Sequence, residues 1–218
     1  MSTLTTTPLG PLLDRLFAEA DAATSPAIKS FTPEERIALT ASKTQYLDLY
    51  GRLKDLWLPV SRETGELLHM LVRSTGARTV VEFGTSFGIS SLHIAAALRD
   101  NGGGLLISSE FEPGKIARAQ RNLEDAGLAD LVEIRAGDAM ETLASGLPAT
   151  VDLLLLDGAK ALYADILALV EPKLRAGALI LADDAEMCPE YLERIRASKD
   201  RYLSIPFGED IELSMKLC

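Results

Sequence analysis

Two cysteines, two histidines, one tryptophan and 6% aromatic residues are all that this 218-residue chain holds of the residue types that build disulfide scaffolds, zinc sites and aromatic platforms. Cys188 and Cys218 are too few for a disulfide framework, and no CxxC or Cys/His zinc pattern is present. No stretch approaches the roughly 20 apolar residues that span a bilayer. The N-terminal MSTLTTTPLG lacks a basic segment leading into an apolar run, so it does not read as a secretory signal. A basic surplus is missing too: the formal charge is -10, whereas a nucleic-acid backbone calls for a clustered positive face. These absences leave a cytoplasmic protein without membrane or nucleic-acid partners as the expectation. The same negative charge suits a cationic ligand or a metal ion.

What is present is aliphatic. Hydrophobic residues make up 47% of the chain, enough for one large α/β domain with a sizeable core. Two apolar runs stop abruptly on aspartate: Leu153–Leu156 meets Asp157, and Ala178–Ala182 meets Asp183 and Asp184. Short apolar runs bounded by charge or glycine read as buried strands of a parallel sheet, and ligands of such sheets lie beyond the carboxyl ends of the strands. Three carboxylates, with Lys160 three residues past the first, are thus offered at the edge where chemistry is expected. An all-oxygen set of this kind suits a hard divalent cation: Mg²⁺ first, with Mn²⁺ or Ca²⁺ also compatible.

The first third reads as helical. Leu12, Leu13, Leu16, Phe17 and Ala20 mark one face of a helix over Pro11–Ala23. Thr32, followed by Pro33 and Glu34-Glu35, has the form of an N-cap, and that helix is predicted to run towards Tyr50 and break at Gly51. Another is predicted from Ser61 to about Gly76. From Thr79 strands and helices alternate, with strands expected at Thr79–Phe83, Leu105–Ser109, Leu131–Arg135, Val151–Leu156 and Gly177–Ala182. Helices are expected at Ser90–Arg99, Pro113–Ala126, Ala139–Ala144 and Lys160–Glu171. The end differs: a helix over Pro189–Ala197 leads to two runs, Tyr202–Ile205 and Ile211–Leu217, separated by turn residues. The reading is α/β: a doubly wound, mostly parallel seven-stranded sheet with an antiparallel C-terminal hairpin and an N-terminal helical extension. The extension is taken as residues 1–58 and the α/β domain as 59–218.

Val80 to Gly88 is a strand entering a glycine turn, with a helix from about Ser90. Only two glycines occur, Gly84 and Gly88, so the GxGxxG pattern of dinucleotide folds is absent. Glu82 within the motif suits a cationic amino-acid group and would repel a pyrophosphate. The next strand ends in Ser108-Ser109-Glu110, where a carboxylate can accept both hydroxyls of a ribose. Asp138 and Ala139 follow the third strand.

EFGTSFGIS, SEFEP, AGDA, LLLLDGAK and LILADD, in that order, resemble the S-adenosylmethionine-dependent methyltransferases. Within them the chain looks most like the cation-dependent O-methyltransferases that include the catechol and caffeoyl-CoA enzymes, over roughly Val60 to the C-terminus. The resemblance implies a Rossmann-like methyltransferase fold and S-adenosylmethionine as cofactor. It implies that Val60, Gly84 and Thr85 border the methionine part, with Glu82 near its amino group and Ser90 near its carboxylate. Glu110 would bind the ribose, and Asp138 and Ala139 would border the adenine. Asp157, Asp183 and Asp184 would hold the metal, with Asp157 also bordering the cofactor. Lys160 would be the catalytic base. The family usually has Asp-Asn where this chain has Asp183-Asp184, and the extra charge should tighten metal binding.

The implied reaction is methyl transfer to a hydroxyl of a small catechol-like molecule. A phenol, with a pKa near 10, is activated when a divalent cation lowers that value, and burial and the cation are expected to push Lys160 towards neutrality. The extension would cap the cofactor or build a homodimer. Other readings stay open. Lys160 can simply pair with Asp157, and Asp183 or Asp184 can serve as an N-cap. Trp57, Met187, Tyr191 and Phe207 can wall an aromatic substrate. His69 and His93 read as packing residues. The chain could instead be a metal-independent methyltransferase acting on nitrogen or a lone hydroxyl, or a protein that binds S-adenosylmethionine without turnover. A nicotinamide-dependent oxidoreductase is disfavoured by the missing GxGxxG and by Glu82.

Overall fold

Aliphatic runs flanked by glycine and charge fold as the strands of one seven-stranded sheet, in the order β3-β2-β1-β4-β5-β7-β6. The structure is a computed structural model that describes residues 2–218. The parallel strands are β1 (Thr79–Phe83), β2 (Leu105–Glu110), β3 (Val132–Ala136), β4 (Val151–Leu156) and β5 (Leu174–Ala182). β6 (Tyr202–Phe207) and β7 (Ile211–Lys216) form the expected hairpin, with β7 antiparallel to β5. Strand alternation divides the core: Val80, Leu153 and Leu155 face one layer, whereas Val81, Leu154 and Leu156 face the other. Helices α1 (Leu9–Ala22), α4 (Arg62–Thr75), α5 (Ile89–Asp100) and α6 (Pro113–Asp125) cover the first face. Helices α7 (Ala139–Thr142), α8 (Tyr163–Val170) and α9 (Pro189–Ala197) cover the second. The strand order reverses between β1 and β4, so the crevice beyond their carboxyl ends is the position where an open α/β sheet binds ligands.

Several boundaries differ from the sequence expectation. The helix predicted from Pro33 towards Tyr50 is two helices, α2 (Pro33–Thr40) and α3 (Tyr46–Arg52), and Gly51 lies inside the second. The break falls at Ser42, whose hydroxyl accepts the amides of Thr44 and Gln45 and so competes with helical bonding. The segment expected as a helix over Lys160–Glu171 holds α8 flanked by 3-10 turns at Lys160–Leu162 and Glu171–Lys173. β5 starts earlier than predicted, with Leu174 paired to Val151 across an irregular register.

The N-terminal residues do not behave as one unit. Leu9, Leu12, Leu13, Leu16 and Phe17 of α1 belong to the sheet's own core. Phe31, Leu39, Leu49 and Leu53 instead form a separate small core under α2 and α3. Among the described residues no helix is long and apolar enough to cross a membrane.

Candidate active site

β1 ends in the glycine turn because no side chain fits there. Gly84 has φ +103°, and a Cβ on it would lie 2.3 Å from the Asp157 carbonyl oxygen, so the ends of β1 and β4 touch backbone to backbone. One residue before the turn's entry, Glu82 is fully buried and accepts hydroxyls from Ser90, Ser91 and Ser108, each at 2.5 Å. Burial raises its pKa, and the three serines draw it back. Glu82 therefore braces the turn through α5 and β2, and its carboxylate does not line the cavity described next.

Beyond the strand ends opens a cavity of about 1140 Å³. Of the residues singled out from sequence, Val60, Gly84, Glu110, Asp138, Ala139, Asp157, Lys160, Asp183 and Asp184 line it. Thr85 and Ser90 line a small adjoining recess, together with Val60, Gly84 and Asp157. Glu110, at the end of β2, has its carboxylate fixed by three backbone amides: Ser86 at 2.9 Å, Phe111 at 2.9 Å and Glu112 at 3.0 Å. Asp138 caps α7 through Met140 N and accepts the Tyr46 hydroxyl at 2.5 Å. Burial, then the Asp138 carboxylate, pushes Tyr46 up to about 12. That contact was not anticipated, because it joins α3 to a loop 92 residues away. Two buried hydroxyls on the wall between Gly84 and Glu110, Ser86 Oγ and Ser109 Oγ, have no partner.

On the β4–β5 side, Lys160 Nζ lies 2.9 Å from Asp184 Oδ2 and 3.5 Å from Asp157 Oδ1. It also donates to the Tyr163 hydroxyl at 2.9 Å and to the Asp183 carbonyl at 3.3 Å. Tyr163 OH reaches the same carbonyl at 2.8 Å, which holds the strand end and the lysine together. Burial raises Asp157 to about 6, opposed by Lys160 and reinforced by Glu82 and Asp184. Asp183 rises to about 8, through burial first and the neighbouring Asp157 second. The expectation that Lys160 is pushed towards neutrality does not hold in this arrangement. Burial alone would lower its pKa, but Tyr163, Asp157 and Asp184 outweigh that and keep it well above the ordinary value. The bland reading of Lys160 as a partner of Asp157 is thus partly met, with Asp184 the closer acid. Among the described residues no three acidic, histidine or cysteine side chains already stand close enough to hold a metal ion.

The aromatic residues divide. Met187 lines the cavity, whereas Tyr191 is buried behind it and Phe207 lies elsewhere on the surface. Trp57 is not helical; it stacks on Phe87 at 4.2 Å beside the small recess. His69 and His93 are buried packing residues, and burial takes His93 down to about 4.

A family model described as a methyltransferase domain matches residues 81–185, the stretch from the glycine turn through Asp157 to the β5 acids. The chain carries a methyltransferase domain. A catechol O-methyltransferase of Niastella koreensis is 33% identical over 130 residues, 58% of each chain. One of Danio rerio, catechol O-methyltransferase B, is 31% identical over 176 residues, 76% of this chain and 65% of its own length. The chain spans less than two thirds of the length of these curated relatives. Among solved structures, the O-methyltransferase TomG of Streptomyces achromogenes, in complex with SAM, superposes with a TM-score of 0.67 at 25% identity, covering 94% of this chain and 96% of that one. An O-methyltransferase from Bacillus cereus in complex with SAH gives 0.69 at 20% identity, covering 94% and 97%. At that identity the second likeness speaks for the fold alone, and the methyltransferase domain here has the same doubly wound sheet with its antiparallel end.

Proposed function

We propose that this methyltransferase domain moves a methyl group from S-adenosylmethionine to a hydroxyl of a small catechol-like molecule, with a divalent cation, Mg²⁺ foremost, held at the acceptor. The observation that carries the reading is one shared cavity: the glycine turn and Glu110 open into the same space as Asp157, Lys160, Asp183 and Asp184. The catechol O-methyltransferases and the SAM complex named above support it.

The residues present fit the cofactor. Glu110, its carboxylate fixed by backbone amides, offers acceptor oxygens for a ribose beside the glycine turn in the same cavity. Val60, Thr85, Ser90 and Asp157 would border the methionine end from the small recess, with Glu82 bracing it from behind. Asp138 and Ala139 would border the adenine. The acids fit a hard cation by their chemistry: Asp157 and Asp183 are raised because buried negative charge is under-compensated there. Asp157, Asp183 and Asp184 would hold the ion. Bound there, it supplies Lewis acidity that lowers the pKa of a phenolic hydroxyl.

The chain's own groups do the rest. The cavity walls bring the acceptor oxygen in line with the methyl carbon, the near-attack separation being about 3–3.5 Å. Lys160 Nζ is the group proposed to take or hold the hydroxyl proton. Ile28, Phe31 and Leu47 give the outer cavity wall an apolar part, which would help to keep water from the reacting atoms.

One observation favours a second reading: Lys160 already stands between Asp157 and Asp184, an arrangement that suits metal-independent transfer to nitrogen or a lone hydroxyl. Chelation separates the two. With catechol as acceptor, EDTA is expected to remove methyl transfer and Mg²⁺ to restore it, while calorimetric affinity for S-adenosylmethionine stays in place. Turnover indifferent to EDTA would transfer the case to the metal-independent reading. Affinity without methyl transfer across a catechol panel would make the protein a binder. The homodimer stays part of this reading: light scattering at micromolar concentration is expected to give twice the chain mass, and a monomer would remove it.

A further inference from the structure

The helix that follows Glu110 carries a cation that the reaction above does not use. Lys115 stands in the first turn of α6, and only 5% of its surface is exposed. A lysine so placed ordinarily lays its stem on apolar surface and turns its ammonium out to water. Lys115 does the first, with Nζ 5.4 Å from the Phe87 ring centroid, but its side chain lines the ligand cavity beside Ser86 and Glu110. Its backbone amide is taken by the Glu112 carboxylate at 2.7 Å. Its ammonium donates no hydrogen bond and forms no ion pair among the described residues. Burial lowers its pKa, and Glu110 is the foremost of the carboxylates that draw it back. A buried side chain whose ammonium faces the cavity and has no protein acceptor favours a ligand that supplies one.

Glu110 narrows the chemistry. Its oxygens, fixed by Ser86, Phe111 and Glu112 amides, can only accept. A vicinal diol that donates both protons to such a carboxylate keeps lone pairs of its own in need of a donor. Lys115, five residues along the same strand–helix junction, lines the same cavity. We propose that Lys115 is a cofactor-binding residue, its ammonium donating to the ribose hydroxyl oxygens of S-adenosylmethionine while Glu110 accepts from them. The inference rests on the assignment of the ribose to Glu110 made above. Donor and product share the ribose, so Lys115 holds both alike.

Binding measured by calorimetry tests this without turnover. S-adenosylhomocysteine and 5′-methylthioadenosine, which keeps the ribose but lacks the amino-acid part, are titrated into Lys115→Met, Lys115→Gln, Lys115→Arg and Glu110→Gln proteins of checked melting temperature. Lys115→Met and Lys115→Gln are each expected to weaken both ligands by about 10- to 100-fold, as loss of a charged hydrogen bond does, and Lys115→Arg to recover part of it. Unchanged affinity in the Met and Gln variants, with Glu110→Gln weakened, overturns the inference and leaves the ribose assignment standing. A loss seen for S-adenosylhomocysteine but not for 5′-methylthioadenosine also overturns it, because Lys115 would then meet the amino-acid carboxylate. Unchanged affinity in Glu110→Gln removes the ribose assignment and the inference with it.

Discussion

Asp157→Ala is expected to abolish the stimulation of methyl transfer by Mg²⁺ and to lower kcat on the order of 10²–10³-fold, the scale of a lost Lewis-acid contribution of several kcal/mol. The residue stands at the switch point of the sheet, with its backbone against Gly84 and its carboxylate 3.5 Å from Lys160 Nζ. Burial lifts its carboxyl to about 6, against the opposing charge of Lys160. Removing it relieves repulsion with Glu82 and Asp184, so the fold is not expected to suffer. Melting temperature and Mg²⁺-dependent rates measured on the same preparation decide the matter. Intact Mg²⁺ stimulation with weakened S-adenosylmethionine binding would reassign Asp157 to the cofactor alone.

Lys160→Met is expected to lower kcat by about 10²- to 10⁴-fold, the usual contribution of a positioned acid–base group, with little change in KM for S-adenosylmethionine. Methionine keeps the buried stem and removes only the charge and its donors to Tyr163, Asp184 and the Asp183 carbonyl. In the arrangement seen here the lysine is held protonated by those neighbours. Its proposed service to an acceptor is therefore positive charge beside the nascent phenolate. Added primary amines are expected to restore part of kcat in the variant. A change in KM alone, with kcat intact, would reduce Lys160 to a positioning residue for the acids.

The positions of β4 and β5 were readable because each ends in an aliphatic run closed by a polar residue, at Leu156-Asp157 and Ala182-Asp183. Helix starts with side-chain caps were readable too. Ser61 accepts the Thr64 amide, and Gly76 closes α4 in the left-handed conformation, where the sequence placed both ends. What escaped depends on distant partners. The split between α2 and α3 turns on a single serine hydroxyl, and the Tyr46–Asp138 bond on the packing of α3 over a far loop. Glu82 was assigned a ligand, but its three serine partners come from α5 and β2 and meet only in the fold. Lys115 carries no signal in the sequence, because no local pattern reports that its side chain lines the cavity.

The small core of Phe31, Leu39, Leu49 and Leu53 shares no member with the two cores that clasp the sheet. Its attachments to the body include a few polar ties, Tyr46 to Asp138 and Lys43 to Asp165 and Glu190. Tyr46 and Tyr50 of α3 also pack against the second sheet core, so the module meets the strand ends through these two rings. Because Phe31, Leu49 and Leu53 belong to that small core and line the cavity at once, repacking the module is expected to reshape the outer wall of the pocket.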